Sequence, residues 1–463
     1  MLVQKPEKQG NPITEGVIWK QLLAFFFPIL IGTFFQQLYN TIDAVVVGNF
    51  IGKEALAAVG GSTGTLINLL VGFFVGISAG GTVILSQFYG AKKAEQTSLT
   101  VHTAIALSLA GGLALTVLGF AFSPLALQAM GTPEDIFPYA LAYMRIYFVG
   151  ITGNLLYNIG AGILRATGDS RTPLYFLIFS SLLNLILDLV FVIVIPLGVN
   201  GVALATIISQ AVSALLVVRR LTRTSDIYRL EIRKIRFYPQ ILKNILRIGL
   251  PNGLQSVMYS LSNIIIQASI NTFGTDTIAS WTAYSKIDGL FWMVMSAFGI
   301  AATTFSGQNF GARKYDRVHK SVRAGLLMSA GFSIMLSALL LAAGPFFYRI
   351  FTKDTAIINC GLVILRTLAP FYFTYIFIEI LSGTIRGTGD SFIPTLITCI
   401  GICGTRVLWV NFVVPQWHDI RAVALSYPVA WIFTSAVFII YYLQGGWMRR
   451  QINKSRQNGS NVF

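Results

Sequence analysis

Apolar residues in this chain fall in long unbroken runs separated by short polar turns, a pattern that neither a strand alternation nor an amphipathic soluble helix produces. Runs such as Leu22 to Leu38, Leu66 to Leu85 and Leu326 to Ala343 are each long enough, as helix, to cross about 30 Å of hydrocarbon. Twelve such segments can be marked, at 17–48, 55–87, 98–123, 137–163, 172–195, 200–220, 241–271, 277–308, 319–344, 357–383, 392–414 and 422–443. In a chain of 463 residues they leave no room for a soluble exterior. The pattern predicts an all-α membrane protein with twelve transmembrane helices.

The chain also repeats itself. Ser86-Gln-Phe-Tyr-Gly-Ala-Lys-Lys93, after span 2, is echoed by Gly307-Gln-Asn-Phe-Gly-Ala-Arg-Lys314 after span 8. Arg165-Ala-Thr-Gly-Asp-Ser170, after span 4, is echoed by Arg386-Gly-Thr-Gly-Asp-Ser391 after span 10, again 221 residues on. Pro173 and Pro394 keep that offset, and Pro28 and Pro251 lie 223 apart. Six spans per copy is an even number, so the two copies enter the bilayer from the same side. The fold expected is therefore two pseudo-symmetric six-helix bundles. The organisation reads as an N-terminal tail at 1–16, an N-lobe at 17–220, a basic linker and natural tether at 221–240, a C-lobe at 241–443 and a C-terminal tail at 444–463. Transporters with parallel halves usually bind substrate between them.

Composition agrees: 54% of residues are hydrophobic, 11% are charged and the mean hydropathy is +0.68. The net charge of +16 raises nucleic acid as a partner, and the placement of the basic residues excludes it. Lys92, Lys93, Arg165, Arg171, Arg313, Lys314, Arg317, Lys320 and Arg386 follow even-numbered spans, and the linker is rich in arginine from Arg219 to Arg247. The opposite side has only Lys53, Arg349, Lys353 and Arg421. By the positive-inside rule both termini are cytoplasmic, in a multi-pass protein of the bacterial inner membrane. Cys360, Cys399 and Cys403 lie in or beside spans, without metal-ligand spacing.

The repeated Gln-x-x-Gly-Ala-(Lys/Arg)-Lys motif and Leu164-Arg-Ala-Thr-Gly-Asp-Ser-Arg-Thr-Pro173 resemble the multidrug and toxic compound extrusion (MATE) family. So do Leu38-Tyr-Asn-Thr-Ile-Asp-Ala-Val-Val-Val-Gly48, Asn184-Leu-Ile-Leu-Asp188 and Ser285-Lys-Ile-Asp288. The resemblance runs from about residue 17 to 443 and is nearest to the DNA-damage-inducible (DinF) branch. It implies a V-shaped pair of lobes that exports organic, often cationic or amphipathic, small molecules in exchange for H⁺ or Na⁺ by alternating access. It also implies no other cofactor, and a monomer among membrane lipids is the expected state.

A carboxylate in mid-span costs about 2.5–3.5 kcal/mol on insertion scales, so Asp43 and Asp188 need a partner or a task. Gln36, Asn40 and Asp43 share one helical face, as do Asn184 with Asp188, Asn154 with Asn158, and Thr206 with Gln210. Oxygen donors from Asp43, Asn184, Asp188 and Thr206 suit Na⁺, and the same carboxylates suit a proton. The DinF resemblance implies an Asp at 43 and an Asn/Asp pair at 184 and 188. Applying the repeat offsets, these four positions map to Ile266, Thr405, Trp409 and Tyr427, so the cluster is one-sided. Polar groups serving only as helix glue would be needed in both lobes alike.

In the second half, Lys286, Asp288 and Arg406 are expected to form neutralising ion pairs, and Glu379, at the repeat position of Asn158, is a candidate for facing the cleft. Phe35, Tyr39, Tyr157, Met258, Tyr259, Trp292 and Met295 are candidate cleft-lining residues for flat ligands. NorM-type relatives carry an acidic residue in span 7, and the stretch here reads Ser256-Val-Met-Tyr259. Two rival functions remain: a lipid-linked precursor flippase, which calls for a basic central cavity, and an intramembrane enzyme, for which His102, His319 and His418 form no visible site.

Overall fold

Once a chain enters hydrocarbon its backbone groups must pair within the segment, and every described part of this one answers with helix. The computed structural model describes residues 11–458 and holds no strand among them; the expected tails at 1–16 and 444–463 lie partly outside that range. The twelve long helices are α1 Ile18–Phe50, α2 Ser62–Gly90, α3 Ala94–Ala129, α4 Phe137–Ala166, α5 Arg171–Leu189 with a π-helical extension Val190–Val194, and α6 Val199–Arg223. The second lobe follows with α7 Pro239–Asn271, α8 Thr275–Gly311, α9 Tyr315–Arg349, α10 Thr355–Leu368 and Tyr372–Gly387 joined by a 3₁₀ turn, α11 Phe392–Thr398 and Thr405–Phe412 around a π segment Cys399–Gly404, and α12 Ile420–Leu443. Helices such as α3 and α9 run several residues past the expected apolar spans at both ends.

Among the described residues eleven helices are long and apolar enough to cross a bilayer, and α7 is not one of them. Its sequence carries Asn252, Gln255, Asn263, Gln267 and Asn271. What keeps α7 in place is α2: a Cβ built on Gly76 would lie 2.6 Å from Gly253 Cα, and one on Gly253 would lie 2.7 Å from the Phe73 carbonyl. The absence of side chains lets the two backbones touch across the lobe boundary, the usual route to tight helix association where lipid removes the hydrophobic drive.

The repeated motifs end their helices in matched ways. Gly168 and Gly389 take φ of +100° and +99°, conformations open to glycine, and so close α4 and α10. Lys92 and Arg313, the motif partners after α2 and α8, are the two non-glycine residues with positive φ among the described residues, at 57° and 59°. Around them the amides of Lys93 and Lys314 return to the carbonyls of Phe88 (3.0 Å) and Asn309 (2.8 Å).

These motifs also join the lobes. Gln87 Nε2 donates to the carbonyl of Gly387 (2.8 Å), and Gln308 Nε2 donates to the carbonyl of Ala166 (2.6 Å). Both donor and acceptor pairs are related by the repeat offset, so one bond is the twofold image of the other. Gly90 and Gly311 pack against the backbone carbonyls of Gln308 and Gln87 in the same reciprocal fashion. The N-terminal turn Pro12–Glu15 seals this end further. Asn11 Nδ2 donates to Gln308 Oε1 (2.9 Å), and Arg317 Nη2 donates to the carbonyls of Ile13 (3.0 Å) and Gly16 (2.8 Å). The lobes are thus closed at the end that carries the basic loops.

The connection between α6 and α7, residues 224–238, is anchored rather than a free tether. Tyr228 and Leu230 are buried, the Leu230 amide donates to the Leu221 carbonyl (2.9 Å), and the Glu231 amide donates to His102 Nε2 (3.0 Å).

Candidate functional site

Helical spacing brings Asn184 and Asp188 to one side of α5, and Asp43 of α1 meets them there. Asp43 is 7% exposed, Asn184 1%, Asp188 0% and Thr206, from α6, 2%. With its amide nitrogen turned toward the acids, Asn184 donates to Asp43 Oδ1 at 2.9 Å and to Asp188 Oδ2 at 3.2 Å. That orientation satisfies the amide when both carboxylates are ionised. With the oxygen turned inward instead, the amide is satisfied only when the acids are protonated or a cation sits between them. The two carboxyl groups interact directly, and Asp188 Oδ1 is buried without a partner. Two like charges at such range call for a proton, a cation or a donor between them.

Neutral oxygens surround the pair. Thr206 Oγ1 donates to the Val202 carbonyl (2.9 Å), and the Tyr39 and Tyr143 side chains lie near it. Among the described residues no three His, Cys, Asp or Glu side chains gather as a metal cluster. A Na⁺ held here would take Asp43, Asp188 and the Thr206 hydroxyl, together with Asn184 only in its oxygen-inward orientation. The orphaned Asp188 oxygen fits either that ion or a proton.

Tyr39 connects the acids to a small polar cavity in the same lobe, lined by Gln36, Asn154, Tyr157, Asn158, Ser209 and Gln210. Four of the five supporting polar residues expected from the sequence therefore converge. Asn40 does not: it is exposed and lines no part of this cavity. Tyr157 belongs here as well, with its hydroxyl on the Pro173 carbonyl (3.1 Å), rather than between the lobes.

A second cavity of about 230 Å³ lies at the lobe junction. Its walls pair by the repeat: Ser78 with Gly299, Thr82 with Thr303, Asn158 with Glu379, and Arg165 with Arg386. Glu379 faces it, held by the Tyr375 hydroxyl (3.2 Å) and lying against Gly299, where any side chain would displace it. Arg165 and Arg386, which the sequence places at the membrane interface, reach into this space instead. Their matched positions in the two repeats were the available signal.

The ion pairs expected in the C-lobe do not form. Lys286 is exposed on the opposite side of α8 from buried Asp288, because two residues along a helix turn a side chain through about 200°. Asp288 is held by neutral donors: Trp292 Nε1 (2.6 Å) on one oxygen, and the hydroxyls of Tyr284 (3.0 Å) and Tyr372 on the other. Arg406 donates from Nη2 to Asn263 Oδ1 (2.9 Å) and stacks over Tyr427, 4.1 Å from the ring centroid. Tyr259 and Trp292 line this C-lobe interior rather than the interlobe cavity, Met295 is packed at 1% exposure, and neither Met258 nor Phe35 reaches a cavity described here. The three histidines are occupied by contacts: His102 with the linker, His319 with Tyr442 and His418 stacked on Phe273.

The MatE family model matches residues 28–190 and 251–410, one match in each lobe. Among curated proteins the chain is 29% identical over 448 residues to "Probable multidrug resistance protein YoeA" of Bacillus subtilis (strain 168), covering 94% of this chain and 96% of that one. It is 26% identical over 365 residues to the "FAD transporter" of Shewanella oneidensis, covering 76% and 78% of the two. Among solved structures, "Outward-facing conformation of a multidrug resistance MATE family transporter of the MOP superfamily" superposes with a TM-score of 0.89 at 23% identity, over 97% of this chain and 99% of the other. The duplicated helical lobes and the paired family matches agree: the chain belongs to the MatE family of multidrug efflux transporters.

Proposed function

We propose that the chain is a cation-coupled antiporter that exports small organic compounds by alternating access, with H⁺ or Na⁺ as the coupling ion at Asp43 and Asp188. The observation that carries this reading is the buried carboxylate pair bridged by the Asn184 amide, with one acid oxygen unpartnered. Arrival of the ion changes which Asn184 orientation is satisfied, and so changes how α1 and α5 are tied together. Each inward charge is worth about 2.3 kcal/mol per 100 mV of membrane potential. The basic end, where the lobes are closed, is the cytoplasmic one by charge, so both termini are cytoplasmic and this conformation opens outward, in a bacterial inner membrane.

Cargo enters the interlobe cavity, where Glu379 meets cationic groups and neighbouring apolar walls meet flat rings. The relative named as an FAD transporter supports including aromatic cargo that carries negative charge, for which Arg165 and Arg386 supply the counter-charge. The same two arginines are what a lipid-linked precursor flippase would use. Glu379 between them and the acid pair in the N-lobe favour the antiporter.

The test is efflux from proteoliposomes under a pH gradient and, separately, under a Na⁺ gradient. Asp43→Asn and Asp188→Asn are each expected to lose about tenfold or more of the ion-driven rate under whichever gradient drives the wild type, since each removes a charge the ion needs. Full gradient-driven efflux by both variants overturns the assignment.

A further inference from the structure

The two lobes each enclose an interior cavity, and the repeat relates part of their walls, Tyr259 to Gln36 and Tyr375 to Asn154. The C-lobe chamber, a cavity of about 580 Å³, is lined by Tyr259, Asn263, Ile266, Tyr375 and Tyr427, which are the repeat partners of Gln36, Asn40, Asp43, Asn154 and Thr206. Where the N-lobe has acids, this chamber has a base. Arg406, with no acidic counterpart at its repeat partner Leu185, lines the chamber at 3% exposure.

We propose that this chamber binds an aromatic anion, a carboxylate or phosphate attached to a flat ring, with Arg406 as its ion-pair partner. The guanidinium is buried and carries a full charge, yet its contacts are one hydrogen bond to Asn263 and the face of Tyr427, and its Nε has no partner at all. A buried guanidinium presents five donors in a fixed fork matched to carboxylate and phosphate oxygens. The other charged residue of the chamber, Asp288, feels the Arg406 charge but makes no hydrogen bond to it. Both Asp288 oxygens are taken by Tyr284, Tyr372 and Trp292, which hold that charge on the α8 and α10 side. Trp281, Trp292 and Tyr375 then supply ring faces and edges around the vacant donors. Asn263, Gln267 and Ser285 are exposed and form its mouth. This inference rests on the transporter reading only in making the anion a cargo or a regulator of transport; the binding itself is independent of it.

The experiment uses the intrinsic fluorescence of the purified full-length chain, because Trp281 and Trp292 line the chamber. Titration with 2-naphthoate is expected to quench saturably and to bind about tenfold or more tightly than the neutral isostere 2-naphthylmethanol, the scale of one charge-assisted hydrogen bond. Arg406→Gln is expected to remove that preference, and Arg349→Gln, which changes an exposed cation outside the cavities, to keep it. Trp281→Phe, which leaves the guanidinium in place, is expected to reduce the quenching amplitude, so the assignment is testable even if Arg406→Gln does not fold. Equal binding of acid and alcohol by the wild type, a preference that survives Arg406→Gln, or an amplitude unchanged by Trp281→Phe each overturns the proposal. Asp43→Asn is expected to bind naphthoate as the wild type does. Loss of naphthoate binding with intact efflux therefore counts against the chamber alone, and the converse counts against the coupling site alone.

Discussion

The N-lobe and C-lobe interiors come from two copies of one design, yet one holds Asp43, Asn184 and Asp188 and the other holds Arg406 among aromatic rings. The motifs that close the basic end show the opposite behaviour, for there the copies still match in sequence, backbone conformation and hydrogen bonding. The difference follows from what each region touches. A chamber sees only its own lobe, so its side chains can diverge without consequence for the other copy. The closing motif packs each lobe against the other, so a change in either copy disturbs a contact made by both.

Several substitutions can break or sharpen that contrast. The largest effect is expected at Gly90 and Gly311, where any side chain meets the Gln308 or Gln87 carbonyl of the opposite lobe. Gly90→Leu and Gly311→Leu should each prevent closure at the basic end. Spin labels on the α2–α3 and α8–α9 turns should then report long distances alone, to a similar extent in the two variants. A marked difference between them would mean the gate is less symmetric than its contacts. Next comes the C-lobe interior: Asp288→Ala removes the acceptor shared by Tyr284, Tyr372 and Trp292 and should cost about 3 kcal/mol in thermal unfolding in detergent. The repeat partner of Asp288 is Ile67, which has no such network to lose.

A smaller effect belongs to the latch itself. Gln87→Ala deletes one interlobe hydrogen bond and should shift the balance read by the same labels about 1 kcal/mol toward the open form. Gln308→Ala also removes the acceptor of Asn11 and should shift it further, and the two shifts should nearly add, because the bonds share no atoms. Lys286→Ala is expected to change stability by no more than about 0.5 kcal/mol, since the lysine is exposed and has no acid partner. A loss comparable with that of Asp288→Ala would restore the ion pair that the structure lacks.

Span positions, the repeat and the convergence of Asp43, Asn184 and Asp188 were legible in the sequence, because apolar length, motif spacing and helical periodicity each act locally. Periodicity assigns a side chain to a face but says nothing of which helix that face meets. For this reason Asn40, sharing a stripe with Gln36 and Asp43, was expected inside and lies exposed. Asp288 illustrates the same limit from the other direction. A buried acid next to a lysine in sequence suggests an ion pair, whereas tyrosine and tryptophan donors from α8 and α10 neutralise it, and those residue types are too common here to stand out. The polar composition of α7 was a visible anomaly whose explanation, backbone contact with α2 through glycine, needs three dimensions.

The reciprocal glutamine bonds carry one more consequence. In an isologous contact each surface is its own complement, so that what one subunit gives it also receives. Gln87 to Gly387 and Gln308 to Ala166 obey that rule within a single polypeptide. The basic end of this chain thus has the form of a homodimer interface, with the two copies joined in tandem in one polypeptide.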